Sequence, residues 1–335
     1  MPCTDIVGDS RSLVARLRGQ RVLIVGDLIL DEYWIGRATR LSREAPVPVL
    51  ELERRTRLPG GAANPAANVV ALGGSASVIG IVGGDEQGDA LLGLLAQAGI
   101  ATRGVIRDAA RPTTTKTRLL AESFLRFPQH LARLDHLDRS PVTGALEDGL
   151  CAAIEMGMAA ADAVLVSDYK GGVVTEKVIA TVLAAAREHG KLATVDSQGD
   201  LLKFRGFNLV KCNRAEAEAQ IGRPLARDAD FERAGAELLP ALVAGALVIT
   251  RGADGMTIIL RDGLSAHLPA TNRSEVFDAT GAGDTVIAVM TQAAAAGLDW
   301  RTAAHLANVA AGLVVRRLGN ATVTPAELAV ALEDG

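Results

Sequence analysis

Aromatic residues, cysteines and histidines are scarce in this chain. Aromatic side chains make up 3% of its 335 residues, which argues against a stacking platform for sugar rings. The three cysteines, Cys3, Cys151 and Cys212, have neither disulfide-like nor metal-like spacing, so a reducing cytoplasm is the simplest setting. The five histidines are scattered, without the paired or clustered spacing of a zinc site.

Long apolar runs and a strong charge imbalance are missing as well. No uncharged run approaches the roughly 18 residues of a membrane span. Residues 1–5 lack the basic-then-apolar pattern of a signal peptide. The net charge of −4 gives no reason to expect nucleic-acid or membrane partners. We therefore expect a cytoplasmic protein with neither kind of partner.

Short apolar runs alternate with helical stretches along most of the chain. Residues 21–26 and 163–167 are typical of buried strands, whereas 64–72 and 175–189 are typical of helices. This repeated alternation predicts an α/β fold with a largely parallel sheet that is covered on both faces. The last strands, around the turn at 251–255, are expected to form an antiparallel hairpin.

Two stretches, at about 33–58 and 111–138, interrupt that alternation. Both place short apolar segments among many cations, so we expect small strands that leave the main sheet. These strands would form a lid, or a dimer clasp, over the open end of the sheet; ordinary surface hairpins are the alternative. Because no linker, repeat or low-complexity tract is present, we expect residues 1–335 to form a single domain with this inserted lid.

The most informative segment is Asp-Ala-Thr-Gly-Ala-Gly-Asp at 278–284, which a predicted helix follows. Small residues, among them Gly281, make a tight loop here, and the N–H groups of Ala282, Gly283 and Asp284 at a helix start favour an anion. Asp284 places a carboxylate base in the same turn. Together these features suit transfer of a phosphoryl group to a hydroxyl. Taken alone, such a loop is often only a turn.

The same segment excludes two common nucleotide-binding motifs. The third glycine of a dinucleotide fingerprint is absent, since Val286 stands at that position, and Asp284 would repel a pyrophosphate. No Gly-x-x-x-x-Gly-Lys-Ser/Thr sequence occurs anywhere, so the chain is not a P-loop NTPase.

Candidate binding residues follow the first strand and precede the first predicted helix of the sheet. Asp27 and Asp31 come just after a strand, where ligands of open α/β sheets bind, and their carboxylates can accept hydrogen bonds from sugar hydroxyls. A turn cap is the alternative for Asp27. Gly60 and Gly61 allow a ligand to approach the backbone closely, and Asn64 offers a donor and an acceptor. The alternative for Asn64 is a helix N-cap.

Asn213 and Glu216 follow the predicted strand that ends at Lys211. An Asn and a Glu three residues apart can orient a hydrated Mg²⁺ and phosphates. The same spacing is a near-ideal capping pair, and without further context the cap is the favoured interpretation.

Cations are concentrated in the two lid stretches. Most such charges are solvated, yet arginines over a hydroxyl-binding site suggest a substrate that already carries a phosphate. The lid cations are Arg37, Arg40, Arg43, Arg54, Arg55, Lys116, Arg118, Arg126 and Arg133.

These motifs resemble the two signatures of the ribokinase-like (PfkB-type) carbohydrate kinases. Gly60-Gly61-x-x-Asn64 resembles the first signature, and Asp278-x-Thr280-Gly-Ala-Gly-Asp284 resembles the second. Two signatures in order are far more specific than either alone, and the resemblance covers essentially the whole chain. It implies a three-layer α/β/α sandwich with a mostly parallel central sheet and a small β lid, and a kinase that uses ATP and Mg²⁺.

Within that family, the lid stretches at 40–49, 112–116 and 129–135 and the C-terminal part resemble the heptose 7-phosphate kinases. This implies phosphorylation of the anomeric hydroxyl of D-glycero-D-manno-heptose 7-phosphate, on the route to ADP-heptose and the lipopolysaccharide core. Because the chain stops at Gly335, we expect a stand-alone kinase with a separate adenylyltransferase and phosphatase. We also expect a homodimer through the lid strands, since exposed strand edges invite pairing.

Two other functions stay open. One is a kinase of the same fold that acts on ribose, fructose, fructose 6-phosphate or a nucleoside, against which the lid sequence argues. The other is a non-catalytic regulator that binds a sugar or nucleotide, against which the intact Asp284 loop argues.

The resemblance also implies roles for individual residues. Asp284 is implied to accept the hydroxyl proton, and Asn213 and Glu216 to orient Mg²⁺ through water. Some relatives bind K⁺ as well, and the matching positions here are Asp278 and Thr280. The sugar is expected to contact Asp27, Asp31, Gly60, Gly61 and Asn64, and its phosphate Arg43, Arg118, Arg133 and Lys170. The nucleotide is expected to lie near Lys211, Asn213, Glu216, Thr250, Gly252, Gly255, Val276 and Asn308.

Three places depart from the family pattern. Lys170 and Gly171 stand in the reverse of the usual order, and Arg43 stands where proline is usual. Ser197 and Gln198 replace a common Pro-Lys pair. All three places are expected around the sugar and the phosphates, so they bear on the choice of substrate.

Overall fold

The computed structural model describes residues 10–122, 128–272 and 276–334. Residues 1–5, with Cys3, and the lid residue Arg126 lie outside these ranges. The strands are β1 (Arg21–Gly26), β2 (Leu28–Leu41), β3 (Pro48–Gly61), β4 (Ser75–Gly83), β5 (Ala101–Asp108), β6 (Thr114–Glu122), β7 (Gln129–His136), β8 (Ala163–Asp168), β9 (Leu192–Ser197), β10 (Leu209–Asn213), β11 (Ala246–Thr250), β12 (Met256–Leu260) and β13 (Ser265–Leu268). The α-helices are α1 (Ser10–Arg16), α2 (Ala63–Ala71), α3 (Glu86–Gln97), α4 (Ala145–Met158), α5 (Glu176–Glu188), α6 (Arg214–Ile221), α7 (Asp228–Leu242), α8 (Ala282–Ala295), α9 (Trp300–Val314) and α10 (Pro325–Glu333).

Nine strands form the central sheet, in the order β13-β12-β11-β10-β9-β8-β1-β4-β5. Neighbouring strands from β5 to β11 along that order pair in parallel. The two pairs at the far edge, β11–β12 and β12–β13, are antiparallel. The predicted α/β fold with a mostly parallel sheet and a late hairpin is therefore confirmed.

Helices cover both faces of this sheet because its strands alternate their apolar side chains between two cores. On β1, Val22 and Ile24 belong to the core that also contains residues of α2, α8 and α9. Leu23 and Val25 point the other way, into the core built with α4, α5 and α7. A strand buried on both faces reads as a continuous apolar run, which is what 22–25 shows. No helix in the described part of the chain is long and apolar enough to cross a membrane.

A second sheet of four strands, in the order β3-β2-β6-β7, forms the lid. The pairs β2–β3 and β6–β7 are antiparallel hairpins, and β2 and β6 join them in parallel. Because of that parallel pairing, the interpretation as two separate surface hairpins is wrong. The first hairpin is also longer than the predicted 33–58, since only Asp27 separates β1 from β2. That residues 1–335 form a single domain stays a prediction.

Asp27 ties the loop after β8 to the end of β1. Its buried carboxylate accepts backbone N–H groups from Tyr169 at 2.8 Å, Gly171 at 2.9 Å and Val173 at 3.2 Å. A β-carbon on Gly171 would lie 2.7 Å from one of these carboxylate oxygens, so the loop needs glycine there. Three donors on one carboxylate make Asp27 an organiser of the loop that carries Tyr169.

Replacing Asp27 should therefore lower stability. In Asp27→Ala, the N–H groups of the loop lose their buried acceptor, and the free energy of unfolding should fall by about 3 kcal/mol. Asp27→Asn keeps one oxygen acceptor and should lose less. Urea unfolding of the three proteins measures this, and an unchanged midpoint for Asp27→Ala would show that water replaces the carboxylate at no cost.

Candidate active site

Asp284 lies in the first turn of α8 and is 4% exposed. Its carboxylate accepts two hydrogen bonds from distant parts of the chain. The side-chain amide of Asn64 donates to one oxygen at 2.7 Å, and the hydroxyl of Tyr169 donates to the other at 2.8 Å. The carboxylate is thus held by α2 on one side and by the loop after β8 on the other.

The surroundings of Asp284 shift the pKa of its carboxyl toward neutral pH. Burial raises the pKa of its carboxyl to about 7, and the nearby carboxylate of Asp196 acts in the same direction. The hydrogen bonds from Asn64 and Tyr169 favour the ionised form and act against this rise. A carboxylate with a pKa near neutral pH has the proton affinity that general-base catalysis requires.

Beside this carboxylate, a lysine ammonium stands at the start of α8. Lys211, on β10, pairs with both oxygens of Asp196, on β9, at 2.7 Å, and both side chains are buried. A β-carbon on Gly283 would lie 2.7 Å from the ammonium of Lys211, so a side chain at this position would displace the ammonium. Gly281, the N-cap, has a φ of +80°, the left-handed conformation that glycine adopts freely. A helix start and an ammonium together form a site for an anion.

The helix that carries Asn64 begins earlier than a cap at that residue would require. α2 starts at Ala63 with Ala62 at the N-cap position, so the interpretation of Asn64 as an N-cap is wrong. Instead its side chain reaches Asp284, and Asn68 one turn later donates to Asn64 and accepts from Thr285 of α8. These bonds fix the relative position of α2 and α8.

A polar cluster lies where the lid meets the C-terminal segment. Asp31 of β2 accepts from the guanidinium of Arg118 at 2.5 Å and from the side-chain amide of Asn320 at 2.6 Å. The amide of Asn320 also donates to the carbonyl of Pro59 at 2.8 Å. Sequence reasoning missed Asn320, because no local pattern links residue 320 to residue 31. A signal was present, since residues 318–325 belong to the C-terminal part that resembles the heptose 7-phosphate kinases.

The structure brings some of the predicted sugar and phosphate residues together and leaves others apart. Asp31, Gly60 and Arg118 come together in this cluster, since a β-carbon on Gly60 would collide with the Asp31 carboxylate. Asn64 lies at Asp284, and the backbone of Gly61 pairs with β2 beside Asp27. Three residues lie apart from this cluster. Arg133 pairs with Asp135 at the lid surface, and Arg43 is exposed in the turn between β2 and β3. The ammonium of Lys170 lies beside Gly199, in the loop after β9.

A cavity of about 510 Å³ opens on the other side of the α8 start. Its size suits a nucleotide, because small-molecule sites usually measure 300–1,000 Å³. Of the residues predicted near a nucleotide, Asn213, Thr250, Gly252, Gly255, Val276 and Asn308 line it. Lys211 lies next to the lining residue Gly283, so the cavity leads to the anion site.

At the rim of this cavity, Asn213 and Glu216 form a capping box. The carboxylate of Glu216 accepts the N–H of Asn213 at 2.7 Å, and the amide oxygen of Asn213 accepts the N–H of Glu216 at 2.9 Å. The cap interpretation of this pair is therefore correct. Among the described residues, no group of three or more His, Cys, Asp or Glu side chains is arranged to hold a metal. A role of the pair toward Mg²⁺ would have to pass through water, as the sequence predicts.

Asp278 organises the loop before α8. Its carboxylate accepts the N–H of Thr280 at 2.9 Å, the hydroxyl of Thr280 at 2.6 Å and the N–H of Gly319 at 2.9 Å. The carbonyl of Val315 accepts N–H groups from Phe277 and Asp278. These oxygens accept hydrogen bonds that hold the loop in place. A K⁺ site at Asp278 and Thr280 stays a prediction.

Comparison with known protein families fits this arrangement. The family described as pfkB family carbohydrate kinase matches residues 20–327. The chain belongs to this family. It is a carbohydrate kinase with the ribokinase-like fold, and the resemblance noted in its two signatures is confirmed.

Curated relatives share the name bifunctional protein HldE. That of Geobacter metallireducens is 44% identical over 318 residues, which are 95% of this chain and 64% of the relative. That of Caulobacter vibrioides is 46% identical over 314 residues, 92% of this chain and 63% of the relative. The chain thus spans less than two thirds of the length of these relatives.

Solved structures of lower identity share the fold. Arabidopsis thaliana ribokinase, complexed with ribose and ATP, superimposes with a TM-score of 0.75 at 18% identity. Phosphofructokinase-2 of Escherichia coli, in complex with potassium, superimposes with a TM-score of 0.77 at 19% identity. Each match covers 94% of this chain and 99% of the other. At such identities the likeness shows the fold alone.

The hydrogen bond from Tyr169 should leave a signature in the pH dependence of the kinase. Asp284 must be ionised to accept a proton, so kcat/KM for the sugar should fall as pH drops through the pKa near 7. Tyr169→Phe removes a donor to the ionised carboxylate. The pKa of Asp284 should rise further, and the acid limb of the profile should move to higher pH.

Tyr33, the other tyrosine of the chain, provides the matched control. No hydrogen bond joins its hydroxyl to Asp284, so Tyr33→Phe should leave the acid limb in place. An acid limb that is identical in wild type and Tyr169→Phe would show that the tyrosine does not tune the base.

Proposed function

We propose that this kinase transfers the γ-phosphoryl group of ATP to the anomeric hydroxyl of D-glycero-D-manno-heptose 7-phosphate. The product would be heptose 1,7-bisphosphate, an intermediate for ADP-heptose and the lipopolysaccharide core. The observation that carries the chemistry is Asp284, a buried base between an anion site and a polar cluster. The lid sequence and the 40–46% identity to proteins named HldE support the heptose as the sugar.

Recognition of the sugar phosphate rests on a surplus of positive charge on one face of the lid. In the register of β2, β6 and β7, Lys116 lies between Asp31 and Asp135, and Arg118 lies beside Arg133. Arg118 pairs with Asp31, and Arg133 pairs with Asp135. Within this group of five, Lys116 is the cation without an ion pair, and a phosphate would supply the missing negative charge.

Lys116 is also well placed relative to the base. Its ammonium lies 4.7 Å from the centre of the Tyr169 ring, whose hydroxyl donates to Asp284. Lys116 and Asp284 therefore contact the same tyrosine, one at its ring and one at its hydroxyl. Burial lowers the pKa of Lys116. Asp31 and Asp135 act against this lowering, whereas the guanidinium groups of Arg133 and Arg118 repel the ammonium and act with it. Binding of a dianionic phosphate would relieve this repulsion.

The proposed mechanism centres on Asp284. As the sugar oxygen forms its bond to the γ-phosphorus, the bond between that phosphorus and the β,γ-bridging oxygen breaks and ADP departs. Asp284 accepts the proton of the hydroxyl, and the N–H groups at the start of α8 stabilise the charge on the transferred group. Asn213 and Glu216 would orient the waters of Mg²⁺, which supplies charge neutralisation for the phosphates.

The first experiment measures ADP release by the purified protein with Mg-ATP and a panel of sugars. The panel contains D-glycero-D-manno-heptose 7-phosphate, fructose 6-phosphate, ribose, fructose and adenosine. Turnover should be strong with the heptose phosphate alone, and Asp284→Asn should reduce it by a factor of about 10²–10⁴ while ATP still binds. Strong turnover with another sugar would overturn the substrate while leaving the role of Asp284 standing.

A matched pair of variants tests the phosphate site within the same assay. Lys116→Met should raise KM for the sugar phosphate by roughly tenfold or more with little effect on KM for ATP. Lys177→Met makes the same replacement on the outer helix α5, where Lys177 pairs with Asp148, and should change neither constant. Equal increases in both KM values for Lys116→Met would argue against phosphate recognition at this lysine.

We propose a homodimer formed through the lid, as its exposed apolar side chains suggest. β7 is an exposed edge strand, and the lid leaves several large apolar side chains in water. These are Leu41, Val47, Leu52, Leu131 and Leu134, which are 41–68% exposed. Light scattering should find two chains per particle, and Leu134→Asp should yield single chains. A wild type that stays monomeric at high concentration would contradict this assembly.

A further inference from the structure

Lys170 has an unusual backbone conformation for a residue with a β-carbon. Its φ is +56°, the left-handed region in which glycine is favoured, although Gly171 is the next residue. The conformation is imposed by hydrogen bonds. The N–H of Lys170 donates to Asp168 at 2.9 Å, and the N–H groups of Tyr169 and Gly171 on either side donate to Asp27. The loop thus holds a lysine where glycine would fit with less strain.

The side chain of Lys170 extends toward the nucleotide side of the site. Its ammonium lies 3.0 Å from the position that a β-carbon on Gly199 would take, in the loop that follows β9. The ammonium also interacts electrostatically with Glu216, in the first turn of α6 after β10. Both neighbours lie at the carboxyl ends of strands next to the nucleotide cavity, whereas the sugar-side cluster of Asp31 and Arg118 belongs to the lid.

Two other lysines near these strand ends form ion pairs. Lys203 pairs with Asp168 at 3.1 Å, and Lys211 pairs with Asp196 at 2.7 Å. The exposed ammonium of Lys170 makes no hydrogen bond and no ion pair to any residue that the structure describes. A cation that lies at the carboxyl ends of these strands without a protein partner is available to a ligand phosphate.

We infer that the ammonium of Lys170 binds a terminal phosphate of ATP and neutralises charge there as the γ-phosphoryl group is transferred. This assignment rests on the proposed function in taking ATP as the donor. The family resemblance implies that Lys170 contacts the sugar phosphate, whereas this inference assigns it to the nucleotide. The contact would add to the anion site formed by the start of α8 and Lys211, approaching the phosphates from the loop after β8.

Lys170→Gly gives a direct test because the fold should tolerate it. Removing the β-carbon relieves the left-handed backbone, so the melting temperature should not fall. Calorimetry should show roughly tenfold or more weaker binding of Mg-ATP and unchanged binding of AMP, which lacks the terminal phosphates. Lys170→Arg keeps the charge and should retain most of the affinity for Mg-ATP.

Steady-state kinetics separates the two sides of the site. In Lys170→Gly, KM for ATP should rise with no change in KM for the sugar phosphate, the reverse of the pattern expected for Lys116→Met. The inference would be overturned if only KM for the sugar phosphate rose. It would also be overturned if binding of ATP and AMP weakened equally, or if neither KM changed. Because nucleotide binding is measured without sugar, a wrong sugar in the proposed function leaves this test intact. A wild type that binds no Mg-ATP would overturn both.

Discussion

Desolvation of one carboxylate governs the arrangement of the site. Asp284 is buried at a helix start, where an isolated charge would be costly, and it is kept usable by one amide and one phenol hydroxyl. Those donors come from residues 64 and 169, more than a hundred positions away along the chain. The fold therefore has to bring α2, the loop after β8 and the start of α8 to one point before this carboxylate has both of its donors.

Electrostatic balance organises the two ends of the site differently. Beside the cavity, Lys211 and Asp196 neutralise each other in the interior, so the start of α8 presents an ammonium without an unpaired buried charge. On the lid, charges from three strands are interleaved, and two ion pairs leave one cation over. The neutral pair suits a phosphate site that is used in the same way in every turnover. The leftover cation suits selection of a particular anionic sugar.

Local sequence patterns predicted much of the fold and the start of the helix that carries Asp284. Apolar runs marked the strands closely, as at Arg21–Gly26, and small residues before an apolar run marked the start of α8. Contacts between distant residues could not be predicted in this way. Asn320 reaches Asp31 only because the lid folds back over the C-terminal segment, and Asp27 serves the backbone of another loop. The start of α2 was misjudged because Asn64 and Pro65 form an ordinary cap pattern, which the packing of Asn64 on Asp284 overrides.

The short connections of the lid determine how it can move. β2 leaves the central sheet one residue after β1, and β3 returns at Gly61, where the N–H of Ala62 donates to the carbonyl of Asp27 at 2.9 Å. The third connection is clamped at Thr113, whose N–H and hydroxyl both donate to Asp85. Because these three of its four connections are fastened closely to the core, the lid can move only as a stiff unit that tilts about a narrow hinge. A tilt of a few degrees at Asp27 would sweep the far ends of its strands through several ångströms, while Asp31, close to the pivot, would barely shift.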